Sequence, residues 1–123
     1  MVNIKGSYVP AVVRAHVTRY TLATSNNNSE IPELITRKVR EQMSEEVNGY
    51  VLENIIAPEI GGLNEEYNIV PMSSDTSCAW YELSNAIMRW TRDTGGSVDI
   101  LVVVFYKHVN TPVPKGFGIS LKF

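Results

Sequence analysis

The chain has 123 residues, a formal net charge of −2, 44% hydrophobic residues and 20% charged residues. This length and composition fit one globular domain over residues 1–123 and argue against wholesale disorder. A slightly acidic chain has no global attraction to nucleic acid or acidic membranes, so such binding would need a local basic patch.

Its single cysteine, Cys78, excludes an internal disulfide framework and a multi-thiolate zinc site, and we expect it to lie buried in a helix. No segment is long and apolar enough to span a bilayer, and the N-terminal residues lack the apolar core of a signal peptide. We therefore expect a soluble protein with no membrane partner, whose cellular location the sequence does not specify.

The chain begins with a pattern that predicts a strand. In residues 12–22, Val13, Ala15 and Val17 alternate with polar residues, as in a half-buried strand. The run SNNNS at 25–29 predicts a polar loop that can cap a following helix.

Apolar residues three and four positions apart predict an amphipathic helix over 31–47. Pro32 suits its first turn, and Asn48-Gly49 would end it. Residues 50–75 carry no sustained period, so we expect irregular structure there after a short strand at 50–56.

A second helix is predicted over 77–93, with Trp80, Leu83, Ile87 and Trp90 on one stripe. The apolar run at 97–106 is typical of a central strand covered on both faces. Alternation in 117–123 predicts a last antiparallel strand, with both preceding prolines in the connector. These elements predict an α+β fold, a small and mostly antiparallel sheet covered by two main helices.

Two histidines limit the possible acid–base chemistry. His16 lies on the polar face of the first strand and His108 in the loop after 97–106, and both positions are typical of solvated imidazoles. No zinc, nucleotide or serine-nucleophile motif occurs. Carboxylates, which suit hard cations, fall in or near the irregular segment. They are Glu53, Glu59, Glu65, Glu66, Asp75 and Glu82.

From Gly49 to Tyr106, and on toward residue 123, the chain resembles the DNA/RNA non-specific endonuclease domains of the ββα-metal type. The resemblance is carried by ENIIAPEIGG (53–62), YNIVPM (67–72), SCAWYELSNAIMRW (77–90), GGSVDILVVVFY (95–106) and NTPVPKGFGISLKF (110–123). It implies a ββα-metal core in which a histidine base activates water beside a Mg²⁺ ion.

The chain departs from this family where the family's chemistry lies. At the place of the histidine stands Asn54, or Tyr50 in a second alignment, and neither takes up a proton near pH 7. Ser77 stands where the family has its metal-binding Asn. Asn85 stands where the family has a Glu on the helix, and Glu82 lies one turn earlier. Residues that shape the backbone are retained, namely Pro58, Gly61, Gly62, Asn68 and Pro71.

Three hypotheses follow. We favour a nuclease-like domain that has lost catalysis and needs no cofactor. Its former cleft would hold a protein, a small ligand or nothing, and it would self-associate through the Trp80/Trp90 helix or the strand ending at Phe123. The second is an active Mg²⁺-dependent endonuclease that uses His16 or His108 as base and holds the ion with Asn54, Glu82 and Asn85. The third is a nucleic-acid-binding protein without catalysis, which would use Arg14, Arg19 and the basic residues in 37–40.

Overall fold

The computed structural model describes residues 2–4, 7–24, 31–43, 50–106 and 113–123. Within these ranges the chain forms seven strands and three α-helices, so the predicted α+β class is confirmed. In chain order they are β1 (Val2–Ile4), β2 (Ser7–Val9), β3 (Val12–Val17), α1 (Arg19–Thr24), α2 (Glu33–Met43), β4 (Tyr50–Asn54), β5 (Ile69–Ser73), α3 (Ser74–Thr94), β6 (Val98–Tyr106) and β7 (Pro114–Lys122).

An antiparallel three-stranded sheet with strand order β3-β6-β7 forms one layer of the protein. In the central strand, Ile100 lies opposite Ala15 on one side and Leu121 on the other. The antiparallel pair β4-β5 and helix α3 form the facing layer, and the hydrophobic core lies between the two. Strands β1 and β2 form a further antiparallel pair that the sequence pattern did not predict.

The strand predicted over 97–106 is confirmed as the central strand β6, but only one of its faces is buried. Val98, Ile100, Val102 and Val104 all lie in the core. On the opposite face Phe105 is 53% exposed, so the expectation of a strand covered on both faces is wrong. A continuous apolar run fits either arrangement, because folded proteins often leave apolar side chains exposed.

The strand predicted over 12–22 is too long. It ends at Val17, because Thr18 and Thr21 cap each other and start helix α1. The backbone N–H of Thr18 donates to Thr21 Oγ1 at 2.9 Å, and that of Thr21 donates to Thr18 Oγ1 at 3.2 Å. Threonine suits both strands and helix starts, so alternation alone does not reveal the change.

The helix predicted over 31–47 corresponds to α2. Pro32 precedes its first residue, and the Pro32 carbonyl accepts hydrogen bonds from the N–H groups of Ile35 and Thr36 at 3.0 and 3.1 Å. Ile35 is buried, whereas Leu34 is 60% exposed. The predicted end at Asn48-Gly49 lies outside the described residues.

The segment 50–75 contains more regular structure than predicted. Strand β4 confirms the short strand expected at 50–56, and β5 pairs with it, Asn54 opposite Ile69. Pro71 conceals β5 in the sequence because proline donates no ladder hydrogen bond. It is tolerated here because each strand of a two-stranded sheet has a free edge.

Helix α3 confirms the predicted second helix and starts three residues earlier than expected. The Ser73 side chain caps it by accepting a hydrogen bond from the N–H of Thr76 at 3.3 Å. The helix ends at Gly95, whose N–H donates to the Thr91 carbonyl at 2.9 Å. None of the helices in the described ranges has the length and apolar character needed to cross a membrane.

Aromatic pairs join α3 to the edge strand of the large sheet. The ring of Trp80 lies 4.9 Å from that of Phe117, and the ring of Trp90 lies 4.8 Å from that of Phe123, centroid to centroid. Strand β7 begins at Pro114, so the expectation that both prolines lie in the connector is wrong for this one. As the first residue of a strand, Pro114 loses no essential donor.

Thr91 provides a test of the buried core. It is 0% exposed, and its hydroxyl is the one buried side-chain group without a hydrogen-bond partner among the described residues. We expect Thr91→Val to raise the free energy of unfolding by about 1 kcal/mol, because the shape is kept and a desolvated hydroxyl is removed. Urea denaturation measures this change.

Thr94→Val is the matched control. The Thr94 hydroxyl donates to the Trp90 carbonyl at 2.7 Å and accepts from the N–H of Gly96 at 3.1 Å, so its loss should lower stability. If Thr91→Val destabilises the protein as much as this control does, the buried hydroxyl has a partner after all.

Tyr106 should make stability depend on pH in alkaline solution. Its hydroxyl donates to the Pro10 carbonyl, and burial raises the pKa of the phenol well above its ordinary value of 10.0. The folded state therefore holds this proton more tightly than the unfolded chain. This contribution is complete below the ordinary pKa and is lost as the pH rises above it.

We expect Tyr106→Phe to lower the free energy of unfolding by about 1 kcal/mol at pH 7 and to flatten its decline above pH about 10. Denaturation curves at several pH values measure both effects. Tyr81→Phe, at a side chain that is 68% exposed, should leave both unchanged. An equally steep alkaline decline in the Tyr106 variant would contradict the assignment.

Candidate functional site

The candidate site is built on β4, the loop over residues 55–68 (called the 55–68 loop below), β5 and α3. The two strands pair, and α3 follows β5 without a connector. Ile55, Ile56 and Ile60 of the loop are buried in the core, which explains why a segment rich in Pro, Gly and Asn is nevertheless held in place. The loop therefore forms a fixed wall beside α3.

Asn68 closes the 55–68 loop with its side chain. Its Nδ2 donates to the carbonyls of Ile56 and Leu63, both at 2.9 Å, and its Oδ1 accepts from the N–H of Ile56 at 2.7 Å. The residue is 1% exposed. An amide can satisfy donors and acceptors together, so Asn68 supports the loop and does not present its polar atoms to solvent.

The Gly61-Gly62 pair allows the loop to turn back on itself. Gly61 has φ of 106°, a conformation that favours glycine. A Cβ at Gly62 would lie 1.6 Å from the Ile56 carbonyl oxygen, so a side chain there would collide with backbone. The retained glycines thus have a steric role in forming the wall.

Asn54, at the last position of β4, is also tied to the loop. It is 6% exposed, and its Nδ2 donates to Asn64 Oδ1 at 2.8 Å and to the Leu63 carbonyl at 3.3 Å. Both amide hydrogens are therefore used within the 55–68 loop. The position where the family resemblance expects the catalytic histidine holds a structural amide.

A groove of about 540 Å³, called the α3 groove below, separates this wall from α3. The indole Nε1 of Trp80 donates to the Ile55 carbonyl at 2.7 Å and so ties the helix to the loop. The groove is lined by Ile31, Leu52, Glu53, Asn54, Ala57, Pro58, Glu59, Ser77, Cys78, Trp80, Tyr81, Glu82, Ser84 and Asn85.

The charged groups of the α3 groove are all carboxylates. Glu53 comes from β4, Glu59 from the loop and Glu82 from α3. Ser77 Oγ donates to Glu53 Oε1 at 2.7 Å, which orients one carboxylate across the groove. No lysine, arginine or histidine belongs to the lining that the described residues form. The groove is consequently a negatively charged concave surface whose lining also includes apolar and aromatic side chains.

The structure brings together most of the site residues that the sequence singled out. Glu53, Asn54, Ser77, Glu82 and Asn85 all line the α3 groove. The set spans both walls, so residues far apart in the sequence meet at one surface.

Other candidate residues lie outside the groove lining. Tyr50, at the start of β4, is partly exposed, and the buried Asn68 supports the loop. Glu66 forms an ion pair with Lys38 of α2 at 2.7 Å. The lining also includes neither Glu65 nor Asp75.

His16 lies on the other side of the large sheet. It belongs to β3, where Val13 and Val17 face the core and His16 alternates with them. Its Nδ1 is hydrogen-bonded to Oδ1 of Asp99, the residue opposite it on β6. The sheet therefore stands between this imidazole and the α3 groove. His108 lies outside the described residues.

Tyr81 was not among the residues predicted to form a site, and the predicted environment of Cys78 was wrong. Cys78 is exposed on the groove side of α3, so the expectation of a buried thiol is wrong. Tyr81 is 68% exposed and borders the same groove. The spacing of Ser77, Cys78, Tyr81, Glu82 and Asn85 places them on one helical face, a signal that was present in the sequence.

Comparison with known proteins adds no relative: no family model matches the chain, and no curated protein or solved structure is significantly similar to it.

Asn68 offers a direct test of the loop. We expect Asn68→Ala to lower the free energy of unfolding by about 3 kcal/mol, because it removes three hydrogen bonds and leaves buried backbone groups unpaired. Chemical denaturation measures the loss. Asn85→Ala, in the lining of the groove, should change stability by less than about 0.5 kcal/mol. Equal effects of the two changes would refute the role given to Asn68.

Proposed function

We propose that the protein is a non-catalytic binding module on a nuclease-like strand–strand–helix unit, and that the α3 groove is its binding site. The observation that carries this proposal is the bonding of Asn54. Its amide does not titrate, and its hydrogens are donated to Asn64 and Leu63. Such a group supports a loop and does not accept a proton from water.

The order of elements is consistent with the resemblance from which this proposal starts. Strands β4 and β5 are joined by the 55–68 loop and followed by α3, the order that a ββα unit requires. The residues expected to shape such a unit have supporting roles, with Asn68 closing the loop and Gly61-Gly62 allowing its turn. The residues that shape the loop are present, whereas the residues expected to carry out catalysis differ. This combination favours a binding role over catalysis.

The position of His16 further favours this proposal over an active nuclease. A general base has to come within hydrogen-bond reach of the attacking water. His16 is bound to Asp99 on the face of the sheet that is turned away from the α3 groove. Serving as a relocated base would require it to cross the sheet.

The described residues give a Mg²⁺ site in the groove little support. Both amide hydrogens of Asn54 are bound to loop oxygens, which fixes that side chain for a structural purpose. Ser77, which stands at the place of the family's metal-binding Asn, donates its hydroxyl hydrogen to Glu53 at 2.7 Å. Among the described residues, no three His, Cys, Asp or Glu side chains form a group that could hold a metal ion. We therefore assign no cofactor to the groove.

A nucleic-acid-binding role has weaker support. Arg19 donates from Nε and Nη2 to the Arg92 carbonyl at 3.0 and 2.8 Å and so serves the end of α3. Lys38 is paired with Glu66. Phosphate binding draws on clustered basic groups, whereas the concave surface here carries carboxylates. A protein partner suits this charge better.

A cleavage assay tests the loss of catalysis. We expect purified protein to leave supercoiled plasmid and single-stranded RNA intact in Mg²⁺ or Mn²⁺, because the lining that the described residues form has no histidine to take a proton from water. Gel electrophoresis with and without EDTA measures this. Cleavage that EDTA abolishes and that Glu82→Ala lowers, while Glu41→Ala on the exposed surface of α2 preserves it, would overturn the proposal.

A further inference from the structure

We propose that the α3 groove binds an extended peptide segment through an arginine side chain. This inference rests on the proposed function and specifies its ligand. It starts from the groove as a concave space of about 540 Å³, which lies in the size range typical of ligand pockets. That volume accommodates one or two side chains of an extended chain but not a whole helix.

Charge complementarity identifies the sign of the ligand. The groove has carboxylates on both walls, Glu53 and Glu59 on one side and Glu82 on the other. A cation in the groove is attracted by the carboxylates of its walls, whereas a phosphate or an acidic peptide is repelled. Ser77 holds the Glu53 carboxylate through a hydrogen bond of 2.7 Å, so part of this field is oriented before any ligand arrives.

The apolar and aromatic part of the α3 groove lining favours a side chain with an apolar stem. Leu52, Ala57 and Pro58 supply aliphatic surface against which the methylene groups of a long cationic side chain can pack. Trp80 and Tyr81 supply aromatic rings, and Tyr81 is 68% exposed. A free metal cation or a small amine would use the carboxylates but would leave this apolar surface uncovered.

Arginine suits the negative charge and the apolar and aromatic surface of the groove better than lysine does. Its planar guanidinium presents several N–H donors to carboxylates at once and stacks on aromatic rings, whereas an ammonium is compact and strongly hydrated. Glu53 from β4 and Glu82 from α3 both supply carboxylate oxygens to the lining that can accept from such donors. The ring of Tyr81 borders the same space.

Farther along α3, the surface next to the groove carries positive instead of negative side chains. Glu82 and Asn85 also border a shallow depression formed with Met88, Arg89 and Arg92. Because Arg89 lies outside the α3 groove, it provides a matched surface control for the carboxylates. Removing its charge should leave arginine binding unchanged or strengthen it slightly, since one nearby like charge is lost.

Fluorescence anisotropy with a labelled peptide tests this inference. The probe is a fluorescein-labelled Gly-Ser-Arg-Leu-Arg-Ser-Gly peptide, compared with the same peptide carrying citrulline in place of arginine. We expect the arginine peptide to bind measurably tighter and to weaken as salt rises, because charges on an open groove are screened. The citrulline peptide keeps size and shape but lacks the charge.

Variants of the protein locate the binding. Glu82→Gln and Glu53→Gln should each weaken binding of the arginine peptide by about fivefold, and the double variant by more, whereas Arg89→Gln should not weaken it. Glutamine at position 53 can still accept the hydrogen bond from Ser77, and thermal melts verify that each variant is folded. Equal binding of both peptides, or no effect of either glutamate change, would overturn the inference.

The two proposals fail in different ways. Absence of peptide binding together with absence of nucleic-acid cleavage would remove the arginine ligand and leave the non-catalytic assignment in place. Metal-dependent cleavage that requires Glu82 would overturn both. Concentration-dependent self-association that Glu82→Gln abolishes, with no peptide binding, would also overturn the arginine ligand, since the groove would then bind a second copy of this chain.

Discussion

The candidate site depends on the hydrogen bonds that Asn68 makes across the 55–68 loop. One buried amide binds both backbone groups of Ile56 and the carbonyl of Leu63, while the Asn68 carbonyl accepts from the N–H of Ile55 at 2.7 Å. These bonds join the end of β4 to the start of β5 on the side away from solvent. They hold the loop as a wall, and without that wall α3 would border open solvent.

Helix α3 links the stability of the protein to its candidate function. One side of the helix contributes Leu83 and Ile87 to the core, and a neighbouring side contributes Tyr81 and Glu82 to the α3 groove. Trp80 lies between the two, packed on Phe117 and bonded to the loop at Ile55. A rigid helix can carry both roles because helical residues three and four apart share a face, whereas adjacent residues diverge.

The amides and carboxylates of this region have separate tasks. Asn54 and Asn68 are buried and bonded within the loop, so their polar atoms serve the fold. Glu53, Glu59 and Glu82 line the concave surface, where their charge can act on a ligand. This division supports a site that recognises positive charge.

Local chemistry along the chain determined much of the fold. Periodicity located α3 and β6, and helical spacing together with the family resemblance pointed to Glu82 and Asn85. Other features were decided by the tertiary structure alone. Strand β5 forms around Pro71 because β4 supplies its pairing partner. Glu59 reaches the groove because the loop folds back on Ile56. Contacts of this kind join residues that are distant in sequence, and no local period records them.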